Sequence, residues 1–165
     1  MTYLISASRT RLISVMVNTI PSGFRALPLS ITQLSLAVVL KSGQSFRWAA
    51  LPFTNGAHPE ATNLNVEYRL ALKDRVICLR QTSDTLLYRA FFPVAPSDPL
   101  TCMADLERLR EEETLAWLQD YFQLDVDLVK LYDAWEELDP VFGKLRSRFT
   151  GIRMLRQDPW ENLVS

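Results

Sequence analysis

Apolar side chains recur at alternate positions over much of the first half of the chain. Leu34, Leu36, Val38 and Leu40 share one side of an extended backbone, which predicts a strand with one buried face. Ser42-Gly43-Gln44 breaks that run, and Phe46-Arg47-Trp48 reads as a short returning strand. Leu51 to Asn65, rich in Pro and Asn, reads as a long loop. Alternation resumes at Val66, Tyr68, Leu70 and Leu72, Lys73-Asp74 turns the chain, and Arg75 to Gln81 runs back as the partner strand. Thr82-Ser83-Asp84 turns it again into Thr85 to Phe92, giving an antiparallel meander of four or five strands.

The prolines at 93, 96 and 99 remove donors and fix φ, so Pro93 to Pro99 reads as a linker. Beyond it the period becomes helical. Leu106, Leu109, Leu115, Leu118 and Phe122 approximate one face of a first helix, and Glu111, Glu112 and Glu113 read as its solvated side. Asp125 is placed to cap a second helix with the stripe Leu128, Leu131, Trp135 and Leu138. Asp139-Pro140 starts a third with Phe142, Leu145 and Phe149, and Gly151 stands where a left-handed residue would end it. Both stripes are expected to be core. Asp158-Pro159-Trp160-Glu161 carries the acceptor, proline and glutamate of a capping box. Only four residues follow Glu161, whereas an isolated helix needs ~12 to 15 to be marginal, so the chain is expected to stop inside an element.

Charge is near balance overall, at −1, which lacks the basic excess of a free-standing nucleic-acid binder. Its distribution is uneven: Arg9, Arg11, Arg25, Lys41 and Arg47 precede the first acid, Glu60. Residues 1 to 24 have the composition of a mitochondrial presequence, and fit equally a disordered or wrongly assigned start. Cys78 and Cys102 have no metal-ligand spacing and read as reduced core thiols, while His58 reads as a loop tip. No metal and no cofactor are expected. Nor is a membrane span, because no apolar run approaches ~20 residues. Lys144, Arg146, Arg148, Arg153 and Arg156 form a basic stretch that could face phosphates, solvent or the acidic helices.

Four segments in order carry a resemblance: Lys41-Ser-Gly-Gln-Ser-Phe-Arg-Trp48, Leu72-Lys-Asp-Arg-Val-Ile-Cys-Leu79, Tyr121-Phe-Gln-Leu-Asp-Val126 and Gly151-Ile-Arg-Met-Leu-Arg-Gln-Asp-Pro-Trp160. From about residue 27 to 165 the chain resembles the amino-terminal part of eukaryotic, fungal-like 8-oxoguanine DNA glycosylases. The resemblance implies an α+β fold, a twisted antiparallel sheet with packed helices like one half of the TATA-binding protein. It divides the chain into a basic extension (1–26), the sheet-plus-helix domain (27–139) and the start of a helix-hairpin-helix domain (140–165).

The implied activity is excision of 8-oxoguanine from DNA in base-excision repair, on a base flipped from the duplex, followed by strand cleavage through a Schiff base. The implied partner is double-stranded DNA containing 8-oxoguanine, bound by a monomer. The implied compartment is the nucleus, with the mitochondrion open. The lesion carries a hydrogen at N7, where guanine has a lone pair, so a fixed carbonyl bonds one and repels the other. The resemblance assigns that carbonyl to Gly43 and makes Gln44 and Phe46 pocket support. Turning a hairpin is the competing role for Gly43, and core packing the competing one for Phe46 and Trp48.

The family's lysine nucleophile, in an L-P-G-V-G-x-K-V-A-D hairpin, and the aspartate of V-P-V-D-V-H have no counterparts here. The lysines are Lys41, Lys73, Lys130 and Lys144, none in such a string. No catalytic residue is assigned, and the isolated chain is expected to be inert. The alternatives are a non-catalytic damaged-DNA-binding or protein-interaction module, or the product of a broken gene model.

Overall fold

The computed structural model describes residues 20–52, 66–93 and 103–164. Readings that fall on 1–19, 53–65 and 94–102 lie outside these: most of the basic extension, most of the long loop with His58, the linker beyond Pro93, and Cys102.

The described chain forms one antiparallel sheet of five strands and the helices beside it. The strands are β1 (Arg25–Pro28), β2 (Ala49–Pro52), β3 (Val66–Ala71), β4 (Val76–Gln81) and β5 (Thr85–Phe91), in spatial order β1-β5-β4-β3-β2. The expected hairpin is present: Tyr68 lies opposite Leu79 and Ala71 opposite Val76, and the Leu72 N–H donates to the Arg75 carbonyl to close the turn. β5 returns against β4, with Cys78 opposite Arg89. The pattern did not announce β1, which pairs with β5 across some sixty residues of chain (Arg25 opposite Tyr88). Both edge strands, β1 and β2, end in proline, which cannot extend a ladder and so blunts the edge.

Leu34–Leu40 is not a strand. Leu36–Val39 is a single helical turn, α1, in which Val39 and Leu40 donate to the carbonyls of Ser35 and Leu36. Leu34, Leu36, Val39 and Leu40 are buried and Val38 is exposed, so the run serves a helical face with an apolar string short enough to fit either period. Gln81 on β4 decides between them. Its Oε1 accepts from the Leu36 N–H at 2.9 Å and its Nε2 donates to the Leu34 carbonyl at 2.6 Å, replacing the ladder that a strand would have used. Phe46-Arg47-Trp48 is not a strand either; β2 begins one residue later and takes Leu51 and Pro52 from the expected loop.

The main core lies between one face of the sheet (Tyr68, Ile77, Leu79, Leu86, Tyr88), α1 and the helix α2 (Met103–Tyr121) with Phe122. A smaller cluster of Phe24, Cys78 and Leu87 forms on the other face, where Cys78 is the expected core thiol. There Glu67, fully buried, holds Arg69 and Arg80 at 2.6 and 2.7 Å. Burial favours protonation of the Glu67 carboxyl, but the hydrogen bonds and charges of Arg69 and Arg80 outweigh it and hold the group below its ordinary range.

The remaining helices are α3 (Leu128–Leu138), α4 (Pro140–Leu145) and α5 (Pro159–Val164). Asp127, not Asp125, caps α3, accepting from the Lys130 N–H, while its carboxylate is also held by Gln33 Nε2 at 2.7 Å. Asp139 and Pro140 start α4 as expected. The stripes are less buried than expected. Leu128 and Tyr132 are buried, but Leu138 is 84% exposed and Trp135, Leu145 and Phe149 are also largely bare. Tyr132, Trp135 and Phe142 stack on one another and join α3 to α4 instead of entering the main core. No described helix is long and apolar enough to cross a membrane.

Candidate functional site

The loop between α1 and β2 carries Ser42-Gly43-Gln44-Ser45-Phe46-Arg47-Trp48, and nearly every side chain in it is tied down. Ser42 Oγ donates to the Val39 carbonyl at 2.9 Å. Gln44 reaches the segment after Gly151: its Nε2 donates to the Arg153 carbonyl and its Oε1 accepts from the Leu155 N–H, both at 2.9 Å. Ser45 Oγ donates to Glu161 at 3.2 Å. Arg47 donates to the same carboxylate at 3.1 Å and to the Ala71 carbonyl at 2.7 Å. Trp48 Nε1 donates to the Tyr121 hydroxyl at 3.1 Å. Burial pushes the Tyr121 phenol up, against the lowering effect of the bonds from Trp48 and Ser45.

Gly43 and Phe46 are the exceptions. Gly43 is exposed at φ +83°, a left-handed conformation that favours glycine, and a Cβ there would meet nothing within 4 Å. The glycine is therefore required by the backbone turn and not by crowding. Phe46 is 75% exposed, which overturns core packing as its role, whereas Trp48 does pack against the core. The loop thus presents one left-handed glycine and one bare aromatic on a frame fixed at both flanks.

The opposing wall is the segment 151–158. Gly151 has φ +70°, and its carbonyl accepts from the Ser35 N–H at 2.8 Å; a Cβ would lie 2.1 Å from the Ile31 carbonyl oxygen. It stands beyond the end of α4 at Leu145, so its left-handed turn serves this close approach rather than that helix's cap. Arg153 is buried, and its guanidinium donates to the carbonyls of Gln33, Gln123 and Val126 and to Gln33 Oε1. Burial lowers its pKa, and Asp125 and Asp127 oppose the shift.

Three of the five cations in the basic stretch are engaged within the fold. Arg146 pairs with Asp133 and Glu136, Arg156 pairs with Asp120 at 2.9 Å, and Arg153 is internal. Asp158 caps α5 through the Trp160 N–H, but Glu161 does not complete a capping box: its carboxylate is taken by Ser45, Arg47 and Gln157. The bracing by Glu161 and Arg153 was missed by sequence reasoning. In the sequence Arg153 reads as part of a basic stretch and Glu161 as part of a capping box.

Residues 26–163 match the family described as 8-oxoguanine DNA glycosylase, N-terminal domain. The chain belongs to this glycosylase family. It is 32% identical over 143 residues to an N-glycosylase/DNA lyase of Saccharomyces cerevisiae and 28% identical over 140 residues to N-glycosylase/DNA lyase OGG1 of Arabidopsis thaliana. These alignments cover 86% and 84% of this chain but 33% and 31% of the relatives, so the chain spans about a third of the curated relatives it matches. Its fold is similar to a solved structure described as MBOgg1 in complex with a low-affinity DNA ligand, with TM-score 0.53 and 25% identity over 86% of this chain and 38% of that one. The family assignment agrees with the expected α+β class, and the match contains both the glycine loop and its bracing segment.

Proposed function

We propose that this glycosylase-family chain supplies one wall of an 8-oxoguanine pocket in double-stranded DNA repair and lacks the machinery to cleave. The observation that carries the reading is the Gly43 loop, turned outward at a left-handed residue and fixed by Gln44 and Arg47 to the segment 151–161. A carbonyl discriminates between a donor and an acceptor only if it cannot turn away, and the braced flanks limit that freedom. The mismatch with guanine N7 is worth roughly 1 to 3 kcal/mol, one to two powers of ten. Phe46 is free to lie against a flipped base or its sugar.

Inertness as an enzyme is supported by the lysines Lys41, Lys73, Lys130 and Lys144, none of which stands in a string like the family's nucleophile hairpin. The chain acts as a monomer in the nucleus, with the mitochondrion as the alternative compartment. The bare apolar side chains Leu138, Val141, Phe149 and Trp160 favour a second reading, a protein-interaction module.

The test is binding of the purified chain to a duplex with one 8-oxoguanine opposite cytosine, against undamaged duplex, with strand cleavage followed in the same tubes. Lesion preference that is lost on restricting Gly43, without cleavage, is expected. Cleavage would overturn the inert reading, and absence of any preference would favour the interaction module.

A further inference from the structure

β5 is longer than its edge partner. β1 pairs with Thr85 through Tyr88 and stops at Arg25, so Arg89, Ala90 and Phe91 carry β5 past it. Gly23, at φ +78°, turns the preceding chain, and an open cleft of about 440 Å³ lies between this overhang and the Glu107–Thr114 face of α2. The Gly43 loop meets α2 at its other end, through Tyr121.

Two arginines of the cleft are stacked on rings and unmatched by acids. The Arg89 guanidinium lies 4.5 Å from the Phe24 ring and 4.4 Å from the Phe91 ring, and that of Arg110 lies 4.6 Å from Phe92. Among the described residues neither has a carboxylate partner, although their neighbours do: Arg25 holds Glu111 at 2.9 Å, and Arg75, which also lies over Phe92, holds Asp74 and Glu113. Arg89 Nε is buried with no hydrogen-bond partner among the described residues. With Glu111 engaged by Arg25, Glu107 is the one acid lining the cleft that has no ion pair there.

Stacking fixes a guanidinium while leaving its N–H edge for an oxyanion, and two such groups without acids suit a dianion better than a single carboxylate. Phe91, half exposed beside the Arg89 guanidinium, supplies apolar wall for a flat ring, and the volume lies in the range of small-ligand sites. We propose that this cleft binds a phosphomonoester carried on a heteroaromatic ring, a mononucleotide, at a site separate from the Gly43 loop.

The experiment is isothermal titration of the full chain with guanosine 5′-monophosphate, guanosine, inorganic phosphate and an unmodified duplex. The nucleotide is expected to bind with Kd on the order of 0.1 to 1 mM, and guanosine and phosphate at least about tenfold more weakly. Arg89→Gln and Arg110→Gln should each weaken nucleotide binding about tenfold, with Arg108→Gln, outside the cleft, unchanged. Should Arg89→Gln fail to fold, Arg110→Gln, on α2, carries the test. Absence of saturable binding, equal binding by Arg110→Gln, or binding of duplex alone would overturn the site.

Discussion

Leu155 is hydrogen bonded through its main-chain N–H to the side chain of Gln44, 111 positions earlier, at 2.9 Å. The same side chain donates to the carbonyl two residues before, so one amide group does for the glycine loop what a bridge between strands would do for a sheet. Gln44→Ala removes both bonds and should lower stability by about 1 to 2 kcal/mol in urea unfolding. Gln44→Glu keeps an acceptor for Leu155 but faces the Arg153 carbonyl with no donor. It should be no better than alanine, and near wild-type stability in Gln44→Glu would refute the bridging role.

Gly151→Ala is expected to be among the most damaging single changes. The new methyl would sit 2.1 Å from the Ile31 carbonyl oxygen and 2.7 Å from the Ser35 nitrogen, both backbone, at a residue with positive φ. Neither neighbour can swing aside, and more than about 3 kcal/mol should be lost. Thermal unfolding followed by circular dichroism measures it; a Tm unchanged within error would contradict the geometry.

Arg153→Met tests whether that arginine is internal structure or a phosphate contact. Removing the buried guanidinium leaves the carbonyls of Gln33, Gln123 and Val126 without their donor, which should cost about 3 kcal/mol or more. Arg148→Met, at an exposed position, should change stability by no more than about 0.5 kcal/mol. Equal effects in denaturant titrations would argue against a buried fork.

Leu138→Lys and Trp160→Lys should each leave stability within about 0.5 kcal/mol, because these side chains are 84% and 69% exposed. A loss above about 2 kcal/mol in either would mean that the side chain packs after all.

Acid sensitivity should trace in part to Glu67. Its carboxyl is held below the ordinary value in the folded chain, so its contribution is fully present above the unfolded value of about 4.3 and is lost as pH falls through the lower folded one. Glu67→Gln removes that titration, and its stability should vary less with pH below about 4.3 than that of the parent. A parallel fall in both proteins would assign the acid transition to other carboxylates.

The parts of this fold that were legible in the sequence are those whose information is local. The β3–β4 hairpin and β5 carry their own alternation and turns, and Asp139-Pro140 is its own helix signal. The misreadings share a distant cause. Leu34–Leu40 alternates like a strand, yet Gln81 takes its backbone groups and turns it into helix. Asp125 and Asp127 are equally good caps on paper, and Gln33 selects the second. β1 has four residues, most of them exposed, so there was no buried face to read. At the candidate site Gly43 was legible as a turn, but the turn is the loop between α1 and β2 and not a hairpin, and its left-handed φ came only from the structure. The bracing by Arg153 and Glu161, being a matter of pairs more than a hundred positions apart, was not.

The distance between Gln44 and Leu155 also sets an order on the birth of the fold. As the chain leaves the ribosome, β3, β4 and β5 can zip from neighbouring hairpins, and β1 can dock as soon as β5 exists. The Gly43 loop then waits, with its sheet complete, for Gly151, Arg153 and Leu155 to emerge from the exit tunnel. A nascent chain therefore owns its framework well before it owns a rigid glycine loop.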